Sequence, residues 1–383
     1  MNDVYLDYNA TAPVRPEVQR AIAEVLASAH GNPSSTHGFG AAARAALARA
    51  RKQVADAIGV APESIVFTSG ATEANNTVLR HAARGAPGPD VHLLTCATEH
   101  PAVLEEARAL EAEGCRVTIL PVDRDGRLDV ERFSAALTPA TRLASVMWAN
   151  NETGVIQPIP ELARRAAARG VPFHTDAVQA LGKVALALAS LPLDYASFSA
   201  HKLGGPKGVG ALYVRPGVEL SPLLRGGSQE KGRRPGTENV PGIVGFGAAC
   251  ASASGELDAA RARHERLRAR LWDGIHDSIP DALRNGASEH TLAHTLNVSF
   301  AGASGEALVE ALDLEGVAVA TGAACHAGST EPSHVLSAMG VPRELGASAI
   351  RFSLGPGIDD DAIARVLDVL PRVVARVRQA RAA

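Results

Sequence analysis

Short apolar runs recur along the first two thirds of the chain, separated by longer stretches where Ala, Leu and Val repeat among Arg and Glu at helical spacing. The runs Ser64–Thr68, Val91–Cys96, Arg116–Val122, Arg142–Ala149, Val171–Thr175, Tyr195–Ser199 and Gly210–Val214 predict strands. They are apolar throughout rather than alternating, as expected when both faces of a sheet are covered. Pro101–Glu113 and Ile159–Arg169 predict helices between them. Strands alternating with helices give the expected fold class: α/β, a mostly parallel seven-stranded sheet covered by helices. From about Gly242 the pattern changes. A long Ala- and Arg-rich helical stretch, Ile243 to Ser278, leads to strands Leu292–Phe300, Val317–Ala320 and Ala349–Leu354 and helices Ser304–Asp313 and Asp359–Arg378. This part reads as a smaller α+β domain. The expected division is a large domain over 14–255 and a small domain of 1–13 plus 256–383. Ala82–Pro89, rich in Ala, Gly and Pro, reads as a surface loop.

A length of 383 residues suffices for two domains with sizeable cores. The net charge of −3 gives no reason to expect nucleic acid or an anionic membrane as partner. No apolar run is long enough to span a bilayer. Met1 leads directly into Asp3, Asp7 and Tyr8, without the pattern of a signal peptide. The cysteines (Cys96, Cys115, Cys250, Cys325) are far apart, and neither a disulfide framework nor a metal site is expected. The expected location is the cytoplasm.

Candidate chemistry gathers at the ends of predicted strands. Ser199-Ala200-His201-Lys202 ends one and runs into the glycine-rich Leu203–Gly208. Desolvation there lowers an amine's pKa and makes Lys202 a candidate Schiff-base lysine; a surface lysine at a strand exit is the plainer alternative. Asp176 ends the neighbouring run. In an open α/β sheet, carboxyl ends of strands face the ligand crevice. An acid and a lysine so placed suit pyridoxal phosphate: the lysine holds the aldehyde and the carboxylate keeps the pyridine nitrogen protonated. An ordinary salt bridge is the competing reading. Ser69-Gly70-Ala71-Thr72 joins a strand to a helix in the style of a phosphate cradle, or as a simple cap. His100 is placed to stack on a flat ring, and Asn150–Gly154 is another strand-end loop. Cys325 lies among small residues, with His326 beside it, as suits a reactive thiol more than a core one. Arg351, inside a predicted strand, suits either a carboxylate clamp or a structural ion pair.

In order and number these motifs resemble the cysteine desulfurases, class V aminotransferase-like enzymes of pyridoxal-phosphate fold type I. The resemblance spans nearly the whole chain, from Tyr5–Thr11 and Gly31–Ser35 through Thr98-Glu99-His100, His174–Gln179 and Ser199–Lys202 to Arg234–Asn239 and Ile350–Gly355. It implies that Lys202 carries the cofactor and moves protons, that Asp176 pairs with the pyridinium, and that Gln179 and Asn151 bracket the ring oxygen. His100 would stack on the ring. Ala71, Thr72, Ser199 and His201 would hold the phosphate, with Thr237 reaching it from a second subunit, hence a homodimer. Asn32 and Arg351 would clamp the carboxylate of L-cysteine. Cys325 would take the sulfur as a persulfide and pass it to an acceptor such as an iron–sulfur scaffold.

The long segment from Cys325 to Ser333 resembles the nitrogen-fixation and housekeeping type. The surroundings Gly322–His326 and the run Arg234–Asn239 resemble selenocysteine lyases instead, and Pro356 stands where an arginine is common. A selenocysteine lyase, a class V transaminase that uses no thiol, and a non-catalytic scaffold for sulfur-transfer partners stand as alternatives.

Overall fold

The computed structural model describes residues 3–84, 88–321 and 332–382. Its strands, in chain order, are β1 (Val4–Tyr5), β2 (Ile65–Thr68), β3 (His92–Cys96), β4 (Arg116–Leu120), β5 (Thr141–Ser145), β6 (Phe173–Asp176), β7 (Tyr195–Ser199), β8 (Gly210–Val214), β9 (Ala282–Asn285), β10 (Thr295–Phe300), β11 (Val317–Ala318) and β12 (Ala349–Ser353). Seven form one sheet in the order β2-β8-β7-β6-β5-β3-β4. Every neighbouring pair from β7 to β4 is parallel, and β8 alone runs against both its neighbours. The expected mostly parallel sheet is what forms.

Both faces are covered, as the unbroken apolar runs require. Phe67, Leu94, Ala211 and Tyr213 point into a core shared with α1 (Pro16–Ser28), α2 (Gly38–Ile58), α5 (Val130–Ala136) and α6 (Ile159–Ala167). Their neighbours Val66, Leu93, Leu212 and Val214 point the other way, onto α3 (Ala71–Ala82) and α4 (Pro101–Ala112). This is the two-residue period of a strand with both its faces apolar.

Among the strands, predicted and observed ends differ most at β5, which stops at Ser145 although the apolar run continues to Ala149. Met147 gives its backbone N–H to the Glu99 carboxylate at 2.6 Å, so a side chain replaces a ladder partner.

The remaining strands belong to a second unit. β12, β10 and β9 form an antiparallel sheet, and β1 pairs with β11 in parallel. Their apolar cluster includes Val4 and Leu6, residues of α8 (Gly305–Leu314), and Val366 and Val373 of α11 (Asp360–Ala382). The helix α7 (Val240–Ser278) serves both clusters. Ile243, Phe246 and Ala249 lie in the first, and Leu267, Leu271 and Ile275 in the second. The short helices α9 (His334–Ala338) and α10 (Arg343–Gly346) complete the second unit. Among the described residues no helix is long and apolar enough to cross a membrane.

Candidate active site

The carboxyl ends of β2, β3, β5, β6 and β7 open onto one cavity of about 790 Å³, closed by residues 9–11 of the N-terminal segment, 332–334, and Arg351 of β12. It collects Ala71, Thr72, His100, Asn151, Asp176, Gln179, Ser199, His201, Lys202 and Arg351. Asn32 and Thr237 do not line it; both are exposed, and the Asn32 side chain accepts the Ser34 N–H at 2.9 Å. Cys325 and His326 lie outside the described residues.

Lys202 owes its place to a tight turn. β7 ends at Ser199, the single 3₁₀ turn Ala200–Leu203 follows, and Gly204 closes it at φ +85°. A side chain there would be strained, and its Cβ would meet the Arg15 side chain at 2.7 Å. The turn lifts His201 and Lys202 over the sheet end. The Lys202 Nζ donates to the carbonyls of Asn9 and Ala10, each at 2.7 Å. Asp176, the last residue of β6, is buried; its carboxylate accepts from Asn75 Nδ2 at 2.7 Å and from the Val178 N–H at 3.1 Å.

Burial disfavours the charged form of both histidines. Burial holds the His100 imidazole below its ordinary range, with Lys202 and His334 adding to this and Asp176 opposing it. Its Nδ1 accepts the Ala102 N–H at 3.1 Å and caps α4, which leaves the ring proton on Nε2. Burial, then Lys202, Lys207 and Lys183, push His201 down to about 4.

The residues fit pyridoxal phosphate. Helix α3 starts at Ala71 with no side-chain cap, so its first N–H groups and the positive end of its dipole are left for an anion. Thr72, Ser199 and the neutral His201 share the cavity with that helix end. A Cβ on Gly210 would sit 2.7 Å from the Gly70 Cα, so β8 and this turn touch only because Gly210 is glycine. Asn75 Oδ1 and Arg351 Nε are buried without a partner among the described residues, which suits a site that holds a ligand. Arg351 is almost fully buried. It donates to Asp7 Oδ1 at 2.6 Å and to the Asn151 carbonyl at 3.2 Å, so the ion pair expected as one alternative exists, within reach of the cavity.

Sequence reading passed over several residues the site depends on. Asn9 is buried and ties four segments together: its backbone N–H donates to Ser353 Oγ at 3.0 Å, its Nδ2 to Thr295 Oγ1 at 2.9 Å and to the Asn151 carbonyl at 3.0 Å, and its Oδ1 meets His294 Nε2 at 2.8 Å. Only its place in the Tyr5–Thr11 motif signalled it. Glu99 is fully buried, and burial and then Asp176 raise its carboxyl well above the usual range. Glu152 lines the cavity and accepts a short hydrogen bond from the Ser333 hydroxyl, which in turn caps α9. Burial raises its carboxyl to about 7, with the Ser333 bond and Arg351 opposing.

The folded protein therefore binds the Glu152 proton more tightly than the unfolded chain. That stability is present below the unfolded pKa and fades as pH rises through about 7. Glu152→Gln should lose less stability than wild type between about pH 5 and 8, a relative gain on the order of 3 kcal/mol at the alkaline end. Parallel melting curves for the cofactor-free proteins would refute the assignment.

Three of the four cysteines are described. Cys96, Cys115 and Cys250 are buried, and burial drives the Cys96 and Cys250 thiols far up, away from thiolate chemistry.

A family model for aminotransferases of class V matches residues 4–366. A cysteine desulfurase IscS of Dictyoglomus turgidum is 46% identical over 376 residues, covering 98% of this chain and 95% of the relative. The solved structure of a NifS-like protein superposes with a TM-score of 0.91 at 38% identity, over 98% of this chain and all of that one. A structure of SspA in complex with cysteine gives 0.81 at 34% identity, over 92% of this chain and 99% of the other.

Proposed function

The chain belongs to the class-V aminotransferase family, as one of its cysteine desulfurases, and from that membership we propose a reaction for the cavity. L-cysteine enters, L-alanine leaves, and the sulfur remains on Cys325 as a persulfide for an acceptor protein. The observation that carries this reading is the delivery of Lys202 and Asp176 by adjacent strands into one cavity, beside an uncapped helix start and a buried arginine. The family depends on pyridoxal phosphate. When bound, this group supplies an electron sink for charge developing on the substrate α-carbon.

Each residue has a task consistent with its geometry. The Lys202 amine would hold the cofactor aldehyde, and as a free amine it would move the α-proton of the substrate. The Asp176 carboxylate, fixed by Asn75 and Val178, holds the proton of the pyridine nitrogen. Neutral His100 covers the ring with a proton available on Nε2. The first N–H groups of α3, with Thr72, Ser199 and His201, take the phosphate, while Asn151 and Gln179 flank the ring oxygen. Arg351, steadied by Asp7, takes the substrate carboxylate, with Asn32 as its expected companion. The Cys325 thiolate attacks the substrate sulfur. The carbon–sulfur bond breaks with its electron pair left on carbon, and protonation there completes alanine.

Thr237 is exposed in this chain. We read it as serving the phosphate of a second copy, which makes the enzyme a homodimer with shared sites. The division at 13/14 and 255/256, a cytoplasmic location and an iron–sulfur scaffold as acceptor belong to the same proposal.

Mass spectrometry after incubation with L-cysteine tests it. One added sulfur should appear on Cys325, and Cys325→Ala should lose both the adduct and alanine release. Alanine release at the wild-type rate by Cys325→Ala would overturn the reading. Turnover of selenocysteine alone would redirect it to the lyases suggested by Gly322–His326.

A further inference from the structure

A second cavity, of about 250 Å³, lies behind the first, and Lys202 lines both. Its other amine is Lys183, from the turn after β6. Lys183 Nζ donates to Gln179 Oε1. An ammonium has donors only, so this contact decides which end of the Gln179 amide faces it. The oxygen points back to Lys183, and Nε2 points forward, to the Asn9 carbonyl at 3.1 Å. The same carbonyl accepts Lys202 Nζ at 2.7 Å. Lys183, Gln179, Asn9 and Lys202 thus form one continuous hydrogen-bonded row from the rear cavity to the reacting amine.

The titratable groups that interact with Lys183 through their charges are basic. Lys202 and His201 come from the turn after β7, Arg351 from β12, His264 from α7 and His294 from the segment before β10. Burial, then Lys202 and Arg351, lower the Lys183 ammonium to about 7. Glu256 of α7 is the one carboxylate lining the rear cavity among the described residues, and it is paired with Arg15 at 3.0 Å, so the charge on Lys183 acts mainly on its cationic neighbours.

We propose that Lys183 is a positioning residue: it fixes the Gln179 amide with its donors toward the cofactor, and its charge sets how readily the nitrogen joining Lys202 to the cofactor is protonated. The proposal rests on the reading of Lys202 as the cofactor-bearing lysine. Removing Lys183 takes away a nearby positive charge and releases the amide. Both changes raise the proton affinity of that nitrogen, because positive repulsion falls and the ring oxygen loses an oriented donor.

The test is a pH titration of the cofactor's visible absorbance in the holoenzyme, with no turnover involved. Lys183→Met should move the midpoint upward by about one pH unit, a tenfold change in proton affinity. Lys183→Arg, whose guanidinium stays charged where the lysine loses its proton, should leave the midpoint at or below that of wild type, and Lys183→Gln gives a second neutral replacement should the methionine variant fold poorly. A neutral variant that loads cofactor and titrates with the wild-type midpoint overturns the proposal, as does an arginine variant that shifts as far as methionine. Borohydride reduction of wild type separates the two readings. A label on Lys202 with an unmoved midpoint sinks only the role of Lys183, whereas no label on Lys202 sinks the cofactor assignment beneath it.

Discussion

Lys202→Ala should release no measurable alanine from L-cysteine, a loss of roughly 10⁴-fold or more, at or beyond the upper end of what one acid–base group contributes. The expected loss is this large because the amine carries two tasks at once, covalent attachment of the cofactor and transfer of the α-proton. The fold should tolerate the change. Lys202 is half-buried in a turn whose shape depends on Gly204 and on the backbone bond from Gly204 to Ala200, not on the lysine stem. Alanine there gives up two hydrogen bonds to the carbonyls of Asn9 and Ala10, both of which border the cavity and can turn to water. The measurement is alanine formation together with circular dichroism and cofactor retention. A well-folded Lys202→Ala protein with even a tenth of wild-type turnover would show that another amine does the work.

Asp176→Ala should be the second most damaging change, lowering kcat by about 10²–10³-fold, the scale seen when one preorganised electrostatic partner is removed. Asp176 is buried at the end of β6, and Asn75 and the Val178 N–H hold its two oxygens in place. A carboxylate oriented by neutral donors keeps its full charge available to a cationic ring nitrogen. Asp176→Asn preserves the shape and removes the charge, so it separates the electrostatic role from packing. Both variants should lose kcat far more than KM. Asp176→Asn retaining wild-type kcat would deny the residue its part in holding the pyridine proton.

Much of this arrangement could be read before any coordinates. Strands buried on both faces leave unbroken apolar runs, which is why β7 and β8 match their predicted limits. The strand ends carried the chemistry, so Lys202, Asp176 and His100 were legible together. What stayed hidden is long-range or weakly patterned. Helix α2 is rich in alanine, and its buried stripe is built mostly from small residues rather than from large apolar ones. The end of β5 depends on a carboxylate 48 positions away, and the Glu152–Ser333 contact joins residues 181 positions apart. Lys183 looks like any lysine after a glycine until the fold sets it behind Gln179. A local pattern holds no record of such meetings.

The shared helix α7 has a wider consequence. At 39 residues it is about 58 Å long, and its two halves are anchored in different apolar clusters. A recombination event that exchanged the C-terminal unit for that of a distant relative would have to cut a continuous rod and rejoin it in helical phase. An error of one residue turns the downstream apolar stripe by about 100°. The two parts are therefore tied as a lineage as well as a structure, and they should be inherited together rather than traded as separate modules.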